Sequence, residues 1–203
     1  MSLARLDMCA ERINRQYKEY SLLDIGCRTM DLKPKLVACD RYFGADLVPG
    51  EDVFECDLEQ GLPFEDNAFD IITALDILEH LNNPHAILPE LFRVARKSVI
   101  ISLPNMYYIS FRWSFLMGRG VSGKYSFPPH PVLDRHRWVL CYDEALRFVC
   151  ENATDYRVEY EMILIPRGRT KLVSEPMERW LAHQWPNLFA YGTLVEVKVD
   201  QPA

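Results

Sequence analysis

The sequence has no apolar run long enough to cross a membrane. Its longest strongly apolar segments, residues 71–75 and 98–103, have the length of a β-strand, whereas a membrane span needs roughly 20 apolar residues. The first residues show neither the basic start nor the apolar stretch of a secretory signal. We therefore expect a cytoplasmic protein with no membrane span.

Paired cysteines and a basic surface are missing as well. The six cysteines are scattered with no C-x-x-C pair, which favours reduced, mostly buried thiols over disulfides or a zinc cage. His130 and His136 have no third ligand at a recognised spacing, so we predict no metal site. A net charge of −6 offers no basic face to a phosphate backbone, so we expect no nucleic-acid partner.

The elements that are present alternate along the chain. The clearest helix covers residues 84–97, with Asn83 as its cap and with Arg96 and Lys97 in its last turn. Further helices are predicted over residues 4–20, 32–38 and 142–151, and strands over residues 22–25, 42–47, 53–58, 69–75, 98–103, 156–165 and 188–199. This alternation predicts an α/β fold with a mainly parallel sheet covered on both faces.

The first predicted strand ends in the layout of a nucleotide site. Residues 21–29 read Ser-Leu-Leu-Asp-Ile-Gly-Cys-Arg-Thr, and Asp46 follows about twenty residues after Asp24. Gly26 allows a ligand to approach the backbone closely, and a carboxylate at the tip of the next strand can accept hydrogen bonds from ribose hydroxyls. The loop lacks the further glycines that seat a pyrophosphate, so a dinucleotide cofactor is disfavoured.

Five motifs carry a resemblance to a known family. In order they are Leu22-Leu23-Asp24-Ile25-Gly26-Cys27, Phe43-Gly44-Ala45-Asp46-Leu47, Cys56-Asp57-Leu58, Leu62-Pro63-Phe64 with Phe69-Asp70, and Leu78-Glu79-His80-Leu81. The set resembles class I S-adenosylmethionine-dependent methyltransferases, most closely the small-molecule subset called type 11. The resemblance implies a doubly wound, mainly parallel seven-stranded sheet (the Rossmann-like methyltransferase fold), an enzyme, and S-adenosylmethionine as its cofactor.

The resemblance also implies which residues bind the cofactor. Asp46 would accept the ribose hydroxyls and Asp57 the exocyclic amine of adenine, although a loop cap is the alternative for Asp57 and for Asp76. The implied cofactor site comprises Asp24, Gly26, Cys27, Arg28, Asp46, Leu47, Asp57, Leu58, Asp76 and Ile77.

One departure from the family pattern affects this site. The family has Gly-x-Gly-x-Gly in the loop, whereas Arg28 and Met30 occupy the second and third glycine positions here. Their side chains could narrow the pocket or turn outward, and Arg28 could pair with the carboxylate of the cofactor. The alternative function is therefore a catalytically silent protein that binds the cofactor or its demethylated product, or serves as a scaffold.

Basic and aromatic residues accumulate after the fifth predicted strand. Residues 105–137 hold five basic residues against one acid, a net charge of +4, and residues 166–171 add three basic residues. Tyr107, Phe111 and Phe115 have helical spacing, which suits a lid over an apolar acceptor but also a packed core helix or a dimer contact. A solvated loop or a subunit contact is the alternative for the charge. We predict a single domain, 1–203, with insertions at about 105–137 and 165–187 that form lid segments.

Methyl transfer from a sulfonium requires a positioned acceptor and often a general base. His80 and His136 are the catalytic candidates, and Tyr107, Arg112, His130 and Arg135 are the substrate-binding candidates. The basic charge favours a small anionic metabolite, a glycan or a lipid-linked acceptor. The sequence indicates no oligomeric state.

Overall fold

The computed structural model describes residues 4–121, 123–132, 134–164 and 174–202. The strands are β1 Tyr20–Ile25, β2 Cys39–Asp46, β3 Val53–Glu55, β4 Phe69–Leu75, β5 Ala95–Pro104, β6 Tyr156–Ile163 and β7 Gly192–Pro202. The helices are α1 Ala4–Gln16, α2 Pro84–Val94, α3 Ile109–Leu116, α4 Tyr142–Asn152, α5 Glu175–Gln184 and α6 Pro186–Phe189. Short 3₁₀ turns cover Lys33–Lys35, Leu58–Gln60, Leu78–His80 and Gly123–Tyr125. No helix among these residues is long and apolar enough to cross a membrane.

The seven strands form one sheet in the order β3-β2-β1-β4-β5-β7-β6. Strands β1 to β5 pair in parallel, and β7 runs antiparallel between β5 and β6. The chain order reverses beside β1, where β2 lies on one side and β4 on the other. Ligands of such sheets bind at this switch point, outside the carboxyl ends of the strands. The predicted doubly wound, mainly parallel seven-stranded sheet is confirmed.

Successive residues of the central strands pack on opposite faces of the sheet. Leu22 and Ile71 lie in one apolar cluster with α1, whereas Leu23 and Ile72 lie in the other cluster with α2 and α4. All four side chains are fully buried. Because both faces are covered, the strands read as continuous apolar runs, and their carboxyl ends are the part of the sheet left for a ligand.

Several predicted boundaries were wrong. Arg96 and Lys97 belong to β5 and not to the end of the preceding helix, because both contact the largely buried carboxylate of Asp70 on the adjacent strand, at 3.4 and 3.0 Å. Asn83 occupies the N-cap position of α2, but its side chain makes no capping bond. The predicted strand over residues 188–199 begins only at Gly192, because α6 occupies the preceding residues.

Part of the predicted second insertion lies outside the described residues. This applies to residues 165–173, which include the basic residues Arg167, Arg169 and Lys171. The remainder of that insertion forms α5 and α6, which contact each other. The first insertion, residues 105–137, is described apart from positions 122 and 133.

A buried ionic cluster joins α1 to the antiparallel edge of the sheet. The carboxylate of Glu196 on β7 is fully buried and accepts hydrogen bonds from Arg12 Nε at 2.7 Å and Lys198 Nζ at 2.5 Å. The Tyr17 hydroxyl donates at 2.8 Å and the Ser98 hydroxyl at 3.1 Å. Burial raises the pKa of Glu196, but the donors outweigh it and hold the pKa below its ordinary value. This cluster fixes α1 on its face of the sheet.

Gly192 is expected to tolerate no side chain. A Cβ atom there would lie 2.7 Å from the carbonyl oxygen of Leu103, which is backbone of the adjacent strand and cannot move aside. Gly192→Ala should therefore lower the free energy of unfolding by about 1–3 kcal/mol, measured by urea denaturation. Gly120→Ala is the matched control, because no atom lies within 4 Å of its Cβ position. Equal stability of the two variants would contradict this close packing.

Candidate functional site

Asp24 ties the end of β1 to its two neighbouring strands. Its carboxylate is 5% exposed and accepts hydrogen bonds from the Tyr42 hydroxyl on β2 and from Thr73 Oγ1 on β4, the latter at 2.7 Å. Burial raises the pKa of Asp24 to about 6, although both hydroxyls favour the ionised form. Asp24 therefore joins the end of β1 to both neighbouring strands, next to the loop that follows.

The raised pKa of Asp24 predicts a pH-dependent effect of Asp24→Asn. The folded chain binds an extra proton between about pH 4 and pH 6, so ionisation of Asp24 lowers the free energy of unfolding as the pH rises through that interval. Asparagine does not ionise. Relative to the parent, the free energy of unfolding of the variant should rise by about 2.5 kcal/mol between pH 4 and pH 7 in urea denaturation. A difference that stays constant across that range would contradict the raised pKa.

The loop after β1 has the backbone conformation of a glycine-rich loop, although only its first glycine position holds a glycine. Gly26 has a φ of 70°, and Arg28 and Met30 have φ values of 52° and 54°. These angles lie in the left-handed region, which costs a residue with a Cβ about 1–2 kcal/mol. The two positions where the family has glycine thus keep the conformation that glycine permits. A Cβ on Gly26 would lie 2.8 Å from Ile77 Cδ1, so this loop packs closely against the residues after β4.

The side chain of Arg28 is exposed, whereas that of Cys27 is buried. Arg28 is 74% exposed and places Nη2 3.2 Å from Asp134 Oδ2, so it turns outward toward residues 123–138. Cys27 is buried, and its sulfur lies 2.8 Å from the position of a Cβ on Gly44. Burial raises the pKa of the Cys27 thiol to about 12, so the thiol stays protonated at neutral pH and acts as packing.

Asp46 stands at the tip of β2 beside this loop. Its Oδ2 accepts the backbone N–H of Arg28 at 2.9 Å, and its Oδ1 accepts that of Val48 at 3.1 Å. Each carboxylate oxygen has a second lone pair, so Asp46 can organise the loop and accept hydroxyl groups at the same time. Leu47 and Val48 are each 53% exposed and offer apolar surface next to it.

The predicted adenine-binding pair begins the 3₁₀ turn after β3. Asp57 Oδ1 accepts the backbone N–H of Glu59 at 3.0 Å, which is the loop-cap arrangement that the sequence left as an alternative. The hydrogen bond from Cys56 N to the Asp46 carbonyl, at 2.8 Å, joins this turn to the tip of β2. Leu58 packs partly on the apolar core. The cap uses one Asp57 oxygen.

Asp76 closes the end of β4 with a strained backbone. Its φ is 52°, its Oδ1 accepts the Ser102 hydroxyl at 2.6 Å, and its Oδ2 lies 3.1 Å from Arg5 Nε. Both carboxylate oxygens thus have protein partners. Ile77 follows and contacts Gly26, so the ends of β1 and β4 meet beside the loop.

The two predicted catalytic histidines lie together. The rings of His80 and His136 are perpendicular with centroids 4.7 Å apart, although the residues are far apart in sequence. Burial lowers the pKa of both, and that of His136 to about 4, so both imidazoles are neutral at pH 7. A general base works best with a pKa near the operating pH, which favours His80 over His136 for that function.

A third residue, Glu79, belongs to this cluster. Its carboxylate is fully buried, and Glu79 Oε1 lies 3.7 Å from His136 Nε2. Potential ligand atoms of Glu79, His80 and His136 all lie within 4.8 Å of one another. The sequence-based rejection of a metal site considered His130 with His136 and overlooked this set. His130 itself is exposed.

The second half of the first predicted insertion lies over the carboxyl end of β4. The backbone N–H of Arg137 donates to the Glu79 carbonyl at 2.8 Å, and Arg137 Nε donates to the His80 carbonyl at 2.9 Å. Trp138 Nε1 donates to the Leu81 carbonyl at 2.8 Å. These bonds hold residues 134–138 against the turn after β4, which is where a lid would lie.

The aromatic segment forms α3 but leaves most of its apolar side chains in solvent. Trp113, Phe115 and Leu116 are 63%, 71% and 75% exposed. The alternative of a helix packed into the core is therefore wrong for these positions. Tyr108 packs on Tyr191 at the base of the helix, with ring centroids 5.6 Å apart.

The substrate-binding candidates form two separate contacts. Arg112 lies over the ring of Tyr107, 5.3 Å from its centroid, and donates from Nε to the Tyr107 carbonyl at 2.6 Å. Arg135 lies 5.8 Å from the ring centroid of Phe127, which is 95% exposed. Both arginines are thus held by neighbours in their own segment, and both keep guanidinium groups near the surface.

A cavity that the sequence did not reveal adjoins the histidine cluster. It has a volume of about 200 Å³ and a mostly apolar lining. Glu79, His85 and Trp138 contribute to its wall, together with Phe148 of α4. The cavity depends on contacts between the turn after β4, α2 and α4, which are remote in sequence, so no local pattern indicates it.

Several solved structures with the same fold are described as methyltransferases. An S-adenosylmethionine-dependent methyltransferase from Archaeoglobus fulgidus is 19% identical with a TM-score of 0.53, covering 95% of this chain and 94% of that chain. A Thermotoga maritima protein described as a possible histamine N-methyltransferase is 13% identical with a TM-score of 0.61, covering 97% and 88%. The small RNA methyltransferase HEN1 is 16% identical with a TM-score of 0.64, covering 100% of this chain and 26% of that chain.

These neighbours confirm the class I methyltransferase fold, for which S-adenosylmethionine is the expected cofactor. Their described acceptors differ, from histamine to small RNA, so the likeness identifies a fold and not an acceptor. The family model of the methionine biosynthesis protein MetW matches residues 42–195, which is most of the chain. The chain belongs to the MetW family.

Proposed function

We propose that this chain transfers a methyl group from S-adenosylmethionine to a small anionic acceptor. The observation that carries the proposal is the loop after β1, where Gly26, Arg28 and Met30 keep left-handed backbone angles beside Asp46. Such a loop brings backbone close to a ligand at the switch point of the sheet. The costly conformation at two residues with side chains supports a functional constraint on the loop.

The cofactor would lie across the carboxyl ends of β1, β2 and β4. Asp46 would accept the ribose hydroxyls, Leu47 and Leu58 would contact the adenine ring, and Asp57 would accept its amine. The amino-acid end would lie above Gly26, and the sulfonium would face Asp76 and Ile77. When bound, the cofactor supplies an activated methyl group, so the chain has to orient the acceptor and exclude water.

The acceptor would approach from the side of the histidine cluster. His80 is neutral at pH 7 and lies next to the turn that carries Asp76 and Ile77, so it can take a proton from an acceptor hydroxyl or ammonium group. Residues 134–138 cover this turn. We infer that residues 134–138 act as the lid. Because all seven strands of the described residues form one sheet, we also infer that the chain functions as a single methyltransferase domain.

The charge of residues 105–137 supports an anionic acceptor. Arg112 and Arg135 keep exposed guanidinium groups that can bind a carboxylate or a phosphate, and Tyr107 and His130 lie in the same segment. The description of the MetW family connects it with methionine biosynthesis, and methionine carries a carboxylate. Of the predicted classes, a small anionic metabolite of the cytoplasm therefore fits better than a glycan or a lipid-linked molecule.

Calorimetric titration with S-adenosylhomocysteine, the demethylated product, separates this proposal from a scaffold whose loop no longer binds the cofactor. We expect saturable binding with one site per chain. Arg28→Gly should leave the affinity equal or weaken it by up to about tenfold, roughly 1.4 kcal/mol, because Arg28 points outward and glycine suits the backbone angle.

Asp134→Asn is the matched control for that variant. It weakens the ion pair of Arg28 without changing the loop backbone, so its affinity for S-adenosylhomocysteine should equal that of the parent. No binding by the parent, or a large gain in affinity for Arg28→Gly, would support the scaffold alternative, because the gain would mean that the arginine occludes the pocket.

A further inference from the structure

We propose that Glu79, His80 and His136 form a binding site for one divalent transition-metal cation at the carboxyl end of β4. The three side chains come from the turn after β4 and from the segment that covers it, and their ligand atoms lie within 4.8 Å of one another. Two imidazoles with one carboxylate are a ligand set that first-row transition metals accept more readily than calcium or magnesium.

The state of Glu79 is the main observation. Its side chain is fully buried, and neither carboxylate oxygen accepts a hydrogen bond from the described residues. The other acids nearby are already paired, Asp76 with Arg5 and Asp134 with Lys124. A buried carboxylate without a partner is strongly unfavourable, and a bound cation removes that cost.

The two histidines can serve as neutral ligands. A neutral imidazole binds a metal ion through the lone pair of one ring nitrogen. The Tyr125 hydroxyl lies 3.2 Å from His136 Nδ1, which leaves Nε2 directed at Glu79. Asp134 Oδ1 lies 3.7 Å from His80 Nδ1. Carboxylates and hydroxyls in these positions commonly orient histidine ligands of metals.

The spacing is close to that of a metal site. Two ligands at metal distances of 2.0–2.1 Å in a tetrahedral site lie about 3.4 Å apart, and His136 Nε2 and Glu79 Oε1 are separated by 3.7 Å. All the ligand atoms of the set lie within 4.8 Å of one another. Arg5 and Lys124 carry opposing charge, but each already contacts a carboxylate.

Three protein ligands leave a coordination position open. A cation here lowers the pKa of a hydroxyl that it coordinates, so it could activate an acceptor oxygen in place of a histidine base. The placement of this open position on the acceptor side rests on the proposed function. The presence of a cation site does not depend on it.

The test uses the full chain after removal of metals with a chelator. Co²⁺ is titrated while its visible absorption is followed, and Zn²⁺ and Mn²⁺ are titrated by calorimetry. We expect one ion bound per chain and a Co²⁺ absorption spectrum typical of coordination by nitrogen atoms. Glu79→Gln and His136→Gln should each weaken binding at least tenfold, whereas His183→Ala, a change at an exposed histidine of α5, should bind like the parent.

No stoichiometric binding of any of the three ions would overturn the site. Undiminished binding by Glu79→Gln would overturn it as well, and if that variant does not fold, undiminished binding by His136→Gln has the same meaning. S-adenosylhomocysteine is titrated against the same metal-free sample. If the chain binds S-adenosylhomocysteine but no metal, the metal site is wrong and the proposed function stands. If it binds metal but no S-adenosylhomocysteine, the metal site stands and the proposed function is wrong.

Discussion

Replacing Glu196 with alanine is expected to lower the free energy of unfolding by about 3–5 kcal/mol. The carboxylate is fully buried, and its removal leaves Arg12 and Lys198, which are 5% and 7% exposed, without their main partner. Arg12 keeps Glu161 on β6, at 2.6 Å, but loses its link to β7. Urea denaturation at pH 7 measures the change.

A surface ion pair gives the matched control for Glu196. Asp7 lies on α1, the helix that the Glu196 cluster holds, and its Oδ1 is 2.6 Å from Lys35 Nζ. Both side chains are more than a third exposed. Exposed pairs of this kind are worth about 1 kcal/mol or less, so Lys35→Ala should have a small effect. If Glu196→Ala costs no more than Lys35→Ala, the buried cluster does not hold α1 on the sheet.

Replacing Asp46 with alanine is expected to weaken the binding of S-adenosylhomocysteine about 10- to 150-fold. The change removes the proposed acceptor for two ribose hydroxyls, and hydrogen bonds to a charged group are worth about 1.5–3 kcal/mol. It also removes the acceptor for the Arg28 amide, at 2.9 Å, so the loop loses support from β2. Calorimetric titration measures the affinity.

Glu51→Ala controls for the general loss of negative charge near this site, because Glu51 is exposed in the turn after β2. Its affinity for S-adenosylhomocysteine should match that of the parent. Thermal unfolding without ligand shows whether Asp46→Ala remains folded. An Asp46→Ala variant that is folded and binds with unchanged affinity would place the ribose elsewhere.

The sheet was predictable because its central strands are continuous apolar runs. Residues 69–75 were predicted as a strand, and β4 has these bounds with every residue buried. The boundary between α2 and β5 was not predictable. Basic residues are typical of the last turn of a helix, so Arg96 and Lys97 fit a helix end as well as they fit a strand that contacts Asp70. The carboxylate that holds them in the strand lies on a neighbouring element, and no local pattern reports it.

The site was predictable where it depends on local backbone and not where it depends on contacts between distant segments. The Asp24-to-Gly26 loop and Asp46 are brought together by adjacent parallel strands, which follows from the alternation of elements. Glu79 was missed because it lies within the Leu-Glu-His-Leu motif, where an acid reads as solvent-exposed. Its neighbours include His136 and Arg137, which are more than fifty positions away.

The exposed face of α3 shows the same limit. The spacing of Tyr107, Phe111 and Phe115 predicts a helix with one aromatic stripe, and α3 forms over Ile109–Leu116. Periodicity does not tell whether such a stripe meets the core. In the structure, α2 and α4 supply the helical side chains of the larger core cluster, and no residue of α3 is buried. Phe115 therefore remains 71% exposed.

A crystal structure with bound S-adenosylhomocysteine tests the proposed cofactor site most directly. We expect the ribose hydroxyls within hydrogen-bond distance of the Asp46 carboxylate, the amino-acid end above Gly26, and the sulfur atom facing Ile77. Ligand bound instead in the cavity between α2 and α4, or no ligand in crystals grown at saturating concentration, would contradict a methyltransferase site at the ends of β1 and β2.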